Sequence, residues 1–197
     1  MNSNEKLQKI ENYAKENYIP IIRKQSCDFL VNLIKKIQPK NILEIGTAIG
    51  YSGVMMLLNS KDAKLTTVDK DADRLEIAKK VFDSFNLSER IKVVCEDANI
   101  FVQNLSEEYD FIFLDGPKSH YGKELPYLLK NLKVGGYILA DNVLFMGEVL
   151  SDTFPKHKHR TAILRLREFL ALVQNNKNLE SEIIHIEDGL LVIKKIK

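Results

Sequence analysis

The chain has 197 residues, a net charge of +2 and 45% hydrophobic residues, enough for one α/β domain with a substantial core. No apolar run approaches the roughly 20 residues of a membrane span, and the polar segment Met1 to Glu11 lacks the apolar core of a signal peptide, so a cytoplasmic location is expected. Cys27 and Cys95 stand far apart with no CxxC pattern, which argues against a disulfide framework or a thiolate metal site, and so small a net charge does not by itself point to nucleic acid.

Residues 4 to about 37 read as two helices broken at Pro20. Leu7, Ile10, Tyr13 and Ala14 keep helical spacing in the first, and Phe29, Leu30, Leu33, Ile34 and Ile37 in the second. Pro39 ends the second helix and leads into a strand. From there short apolar runs alternate with helical patterns. Strands are expected at 42–45, 65–68, 91–94, 111–114 and 137–140, with helices at 52–58, 72–85, 99–105 and 123–132 between them. Continuous apolar runs suit strands covered on both faces of a parallel sheet, and the βα alternation predicts a doubly wound α/β fold. A helix near 161–173 then precedes strands at 182–186 and 190–194, joined by Glu187-Asp188-Gly189. An Asp-Gly between apolar runs signals a hairpin, so the last strand is expected to run antiparallel. With no repeat, low-complexity tract or linker, the chain reads as a single domain, 1–197, with the N-terminal helices of 1–38 packed on it.

The stretch Asn41-Ile42-Leu43-Glu44-Ile45-Gly46-Thr47-Ala48-Ile49-Gly50-Tyr51-Ser52 organises the first half. Strand, glycine turn and helix is how an α/β fold makes a nucleotide-sized site at the carboxyl end of its first strand. Gly46 permits the tight turn, and the free N–H groups of the next helix suit a carboxylate or phosphate. A dinucleotide fingerprint would need G-x-G-x-x-G, but Ala48 occupies the place of the second glycine. The order here, E-x-G-x-x-x-G-Y-S, resembles motif I of S-adenosylmethionine-dependent methyltransferases. Glu44 is expected to hold the glycine loop and the ligand's ammonium group, and Ser52 a carboxylate. Asp69 ends the second strand, 23 positions after Gly46, where an acid can accept both hydroxyls of a ribose; Asp71 is better placed than Asp69 to cap the following helix. After the third strand, Asp97 either accepts the exocyclic amine of an adenine or caps the next helix.

Two more acids end strands on the same sheet edge. The fourth strand leads into Asp115-Gly116-Pro117-Lys118 and the fifth into Asp141-Asn142. Carboxyl ends of parallel strands converge on one crevice, so two carboxylates and an amide are expected together. Oxygen ligands without Cys or His favour Mg²⁺ over zinc. Lys118 would stand near the same cation, whose charge lowers a lysine's proton affinity, and could take a proton from an acceptor hydroxyl.

Together Glu44-x-Gly46, Asp69, Asp115-x-x-Lys118 and Asp141-Asn142 resemble the cation-dependent O-methyltransferases of the catechol and caffeoyl-CoA type, over roughly residues 20–195. The resemblance implies a class I methyltransferase fold, a mostly parallel seven-stranded sheet with an antiparallel last strand. It implies S-adenosylmethionine and Mg²⁺ as cofactors, Asp115, Asp141 and Asn142 as metal ligands, and Lys118 as the catalytic base. Ile22, Glu44, Gly46, Ser52, Asp69, Asp97, Ala98 and Asp115 are carried over as cofactor-binding residues. Ser26-Cys27 departs from the family, which has glycine there, so Ile22 alone is taken from that segment. Within the family the chain is similar to bacterial tRNA 5-hydroxyuridine methyltransferases. Such members are often dimers, and a homodimer is expected. The N-terminal helices and the loop 143–150, with Leu144, Phe145 and Met146, could pack on a second subunit or form a lid.

The segment Lys156-His157-Lys158-His159-Arg160, with Arg165 and Arg167, puts five fixed positive charges within 12 residues. Lys156, Arg160 and Arg167 share one helix face opposite Ile163, Leu166, Leu170 and Val173. Such a face is either simply solvated or meets phosphates. Matched against the tRNA-modifying relatives, Lys156, Lys158, Arg160, Arg165 and Arg167 are expected to contact tRNA. The expected reaction is methylation of wobble 5-hydroxyuridine to 5-methoxyuridine, with a small catechol as the alternative acceptor. A nicotinamide-dependent oxidoreductase would need the missing glycine pattern, and a non-catalytic RNA-binding domain would have no need of the acid cluster.

Overall fold

A computed structural model describes residues 2–145, 147–151 and 159–197. The chain divides into two compact units, Met1–Asp97 and Ala98–Lys197.

The first unit opens with α1 (Ser3–Glu16) and α2 (Lys24–Ile37), interrupted, as the sequence indicates, around Pro20. Asn2 caps α1 reciprocally: its side chain accepts from the Glu5 N–H while the Glu5 carboxylate accepts from the Asn2 N–H. Then come β1 (Asn41–Ile45), α3 (Tyr51–Leu58), β2 (Lys64–Asp69), α4 (Ala72–Ser84), a single 3-10 turn at Ser88–Arg90 and β3 (Ile91–Cys95). β2 lies between β1 and β3, parallel to both, in a register that pairs Ile45 with Val68 and Asp69 with Cys95. Ile42, Leu43, Ile45, Leu65 and Val68 are buried, as continuous apolar strands require. Gly50, at φ +83, has no room for a side chain, because a Cβ there would stand 2.7 Å from the Phe82 ring. That contact brings the glycine turn against α4. α1 is tied down by the Tyr51 hydroxyl, which donates to Glu11 at 2.5 Å, and by Lys6 at the Ser84 carbonyl.

The second unit contains α5 (Ala98–Gln103), β4 (Tyr109–Leu114), α6 (Tyr121–Asn131), β5 (Leu132–Asp141), α7 (Arg160–Gln174), β6 (Leu179–Ile184) and β7 (Leu190–Lys195). β4 and β5 are parallel, while β7 runs antiparallel to both β5 and β6. The strand order of the seven-stranded sheet is β3-β2-β1-β4-β5-β7-β6. This is the α/β, mostly parallel arrangement with an antiparallel last strand.

Element boundaries differ most from the sequence reading at α6, β5 and β6. α6 begins at Tyr121, not at 123, and β5 starts at Leu132, where helix was expected. β5 extends N-terminally through Gly135 and Gly136, and its pairing with β4 shifts register between Tyr109 and Phe111. Gly136 makes that irregularity possible, since a Cβ would meet the Leu132 side chain and the Lys133 carbonyl at 2.9 Å. β6 begins earlier than expected, and the hairpin loop is the five-residue segment 185–189, with Glu187 at φ +48 and Gly189 at φ +79. Among the described residues no helix is long and apolar enough to cross a membrane.

Candidate active site

In the first unit the glycine turn is built around Glu44. The residue is fully buried, and its carboxylate accepts hydroxyl hydrogen bonds from Ser52 and Thr67, both at 2.5 Å. Because the Thr67 proton goes to Glu44, the 2.6 Å contact between Thr47 and Thr67 must have Thr47 as donor. A chain of hydroxyls thus satisfies the buried carboxyl group and ties β1, β2 and the start of α3 together. The Ser52 hydroxyl is engaged by Glu44, so it is its N–H that remains suited to a ligand carboxylate.

Gly46 has φ +105, and Ala48, in the second glycine's place, adopts the left-handed φ of +44. An alanine there costs on the order of 1 kcal/mol. Asp69 offsets it: one carboxylate oxygen accepts from the Ala48 N–H at 3.0 Å, the other from the Asp71 N–H at 3.1 Å. Asp71 caps α4 through the Arg74 N–H at 3.1 Å, as the sequence indicates, which leaves Asp69 available for a ligand. Ile22 is buried and lines a cavity with Cys27, Tyr51 and Met55. Asp97 ends the first unit, and Ala98 opens α5.

In the second unit the acids at the ends of β4 and β5 meet a lysine and a tyrosine. Lys118 donates to Asp115 at 2.7 Å and to the Tyr121 hydroxyl at 2.9 Å. Tyr121 is fully buried, and its single proton is shared between the carbonyls of Leu114, at 2.9 Å, and Asp141, at 3.1 Å. Burial first, then Asp115, Asp141 and Glu124, hold the phenol well above its ordinary pKa, so it stays neutral. An edge-on contact with Phe169, centroids 5.4 Å apart, fixes the ring. The Asp141 carboxyl is buried and pushed up to about 7, by burial first and by Asp115 second. Asn142 follows in the left-handed conformation, φ +57, and its N–H donates to Asp141 at 2.8 Å. Beside the cluster, Asn99 bonds the His120 ring at 2.8 Å, and Glu124 lies 3.9 Å from it.

Asp115 and Asp141, with the Asn142 amide next to Asp141, offer hard oxygen donors, which fit Mg²⁺ better than zinc. Among the described residues no group of three or more His, Cys, Asp or Glu gathers that could hold a metal ion, so the amide of Asn142 would be needed as a third donor.

The family model described as O-methyltransferase matches residues 2–196. The chain belongs to this O-methyltransferase family. A caffeoyl-CoA O-methyltransferase from Populus kitakamiensis is 30% identical over 179 residues, covering 85% of this chain and 75% of that protein. A catechol O-methyltransferase from Niastella koreensis is 30% identical over 163 residues, covering 80% and 72%. The solved structure of an O-methyltransferase from Bacillus cereus in complex with S-adenosylhomocysteine shares the fold, with a TM-score of 0.86, 24% identity and coverage of 99% and 93%.

The basic segment of the sequence lies only partly within the described residues. Lys156 and Lys158 lie outside the described residues, as does Met146. Arg160 opens α7 and is exposed, and Arg165 is exposed and paired with Glu168 at 2.6 Å. Arg167 departs from the expected nucleic-acid face. It is half-buried and donates to backbone carbonyls of Glu148 and Val149, both at 2.9 Å, and of Ser151. Sequence reasoning also passed over Tyr121. The signal was available: an aromatic three residues after Lys118, at the start of the helix that follows its turn, is close enough in sequence to meet it.

Proposed function

We propose that the chain moves a methyl group from S-adenosylmethionine to the 5-hydroxyl of 5-hydroxyuridine at the tRNA wobble position, with Mg²⁺. The observation that carries the O-methyl transfer reading is the cluster of Lys118, Asp115 and Tyr121 with the Asp141 carbonyl, all joined at hydrogen-bond distance. The donor assignment is supported by the glycine turn with Asp69 and by the S-adenosylhomocysteine held by the Bacillus cereus relative.

Asp115, Asp141 and Asn142 would hold the cation, which when bound supplies acidity to the acceptor hydroxyl and takes up the carboxylates' charge. Lys118 Nζ accepts the hydroxyl proton, and Tyr121 keeps that amine at the end of β4 while it does so. Asp69 holds the ribose hydroxyls of the donor, and the Ser52 N–H its carboxylate. Much of the acceleration comes from holding donor and acceptor for in-line attack. O5 and O4 of 5-hydroxyuridine offer nearly the same pair of oxygens as a catechol.

The tRNA assignment is supported by Arg160 at the start of α7. A cation there works against the helix dipole, and a phosphate beside it would offset that. A small catechol is the second reading. It is favoured by the names of the relatives and by the engagement of Arg167 with its own chain. The two separate in one assay of purified protein, offered 5-hydroxyuridine-containing tRNA or a catechol, with Mg²⁺ or with EDTA. Methylation of the tRNA alone, abolished by EDTA, supports the first; catechol turnover without tRNA turnover supports the second. A homodimer is proposed as well, and a monomeric mass by light scattering would refute it.

A further inference from the structure

The stretch that follows Asp141 and Asn142 is held from two sides. Arg167 Nε donates to the Val149 carbonyl and Nη2 to that of Glu148, each at 2.9 Å, and Nη2 also reaches Ser151. The Val149 N–H donates to the Leu144 carbonyl at 3.2 Å and the Glu148 N–H to that of Phe145 at 3.1 Å. On the other side the Leu144 N–H donates to the Asp188 carbonyl at 2.8 Å, and the Val143 N–H to that of Gly189 at 3.0 Å. Gly189 sits at φ +79 with the Leu144 side chain where its Cβ would be. Hydrogen bonds therefore lead from the guanidinium on α7 through Val149 to Leu144, two residues from Asn142.

We propose that Arg167 is a positioning residue. Its guanidinium is a strap that holds the backbone at Glu148, Val149 and Ser151 so that Asn142, strained at φ +57, and Asp141 are held in place for a cation. The planar fork of an arginine matches several carbonyls at once, whereas a lysine offers a single mobile point of donation. A guanidinium committed in this way to three carbonyls of its own chain is set against phosphate contact at that position. The proposal rests on Asp141 and Asn142 being metal ligands, and its test keeps the two apart.

R167Q, R167K and R165Q are compared with wild type by amide hydrogen exchange over 143–151 and by Mn²⁺ binding followed by electron paramagnetic resonance. In R167Q, exchange in that stretch is expected to rise about tenfold or more, and Mn²⁺ affinity to fall about tenfold. R167K should lie between R167Q and wild type, and R165Q should match wild type in both measurements. In kinetics the KM for S-adenosylmethionine should stay unchanged while kcat falls in R167Q. Wild-type exchange and Mn²⁺ affinity in R167Q, or equal effects in R165Q, would overturn the strap alone. Absence of Mn²⁺ binding by wild type would overturn the metal assignment and the strap's role with it. If R167Q does not fold, R167K carries the same comparison.

Discussion

Tyr121 accepts a hydrogen bond from Lys118 at 2.9 Å while its own proton is shared by the carbonyls that end β4 and β5. One buried phenol thus fixes the amine proposed as base to the backbone of the two strands that lead to Asp115 and Asp141. Tyr121→Phe keeps the ring and its contact with Phe169, yet removes the hydroxyl that donates to the two carbonyls and accepts from Lys118, at a cost of about 1–3 kcal/mol in stability. Turnover should fall roughly tenfold or more, with the KM for S-adenosylmethionine unchanged. A variant with wild-type kcat would show that Lys118 needs no such anchor.

Asp141 gives the metal-free protein a pH signature. Its folded value is pushed up to about 7 from an ordinary 3.8, so the fold retains a proton that the unfolded chain loses first. Stability from this group is complete at low pH and declines as pH rises from about 4 to about 7. Asp141→Asn should flatten that decline in EDTA and abolish methyl transfer while S-adenosylhomocysteine still binds. Thermal melts at pH 4, 5.5 and 7 read the first effect; an unchanged slope in the variant would assign the dependence to another group.

The three acids were legible because each stands at the end of an apolar run: Asp69, Asp115 and Asp141 close strands that burial makes easy to find. The seven strands and the antiparallel β7 followed from the same runs and from Asp188-Gly189. What stayed hidden depends on tertiary partners. The hydroxyl chain on Glu44 joins residues far apart in sequence, and Arg167 reads as part of a charge run until three carbonyls are seen to engage it. β5 was shortened by Gly135-Gly136, which locally reads as a turn and here permits a bulge.

Asp69 is expected to act twice, on the ligand and on the turn. Asp69→Ala removes the acceptor of the Ala48 and Asp71 N–H groups and leaves Ala48 strained. Affinity for S-adenosylhomocysteine by calorimetry should drop roughly 10-fold or more. In an Asp69→Ala background, Ala48→Gly should recover some stability, since glycine accepts φ +44 without penalty. No recovery would mean that the turn is held by other contacts.

Of the residues expected to meet tRNA, Arg160 and Arg165 are the exposed ones among the described residues. Arg160→Glu with Arg165→Glu should weaken tRNA methylation at least tenfold, and more steeply as salt rises in the wild type. Binding of S-adenosylhomocysteine should be unaffected. Equal losses in tRNA methylation and in methylation of the free nucleoside would argue against phosphate contacts there.

The most direct measurement is nucleoside mass spectrometry of tRNA from a strain lacking this protein. Loss of 5-methoxyuridine with accumulation of 5-hydroxyuridine, reversed by the wild-type chain and not by Asp141→Ala, is the expected result. Persistence of 5-methoxyuridine in that strain, with the purified protein methylating only small catechols, would contradict it.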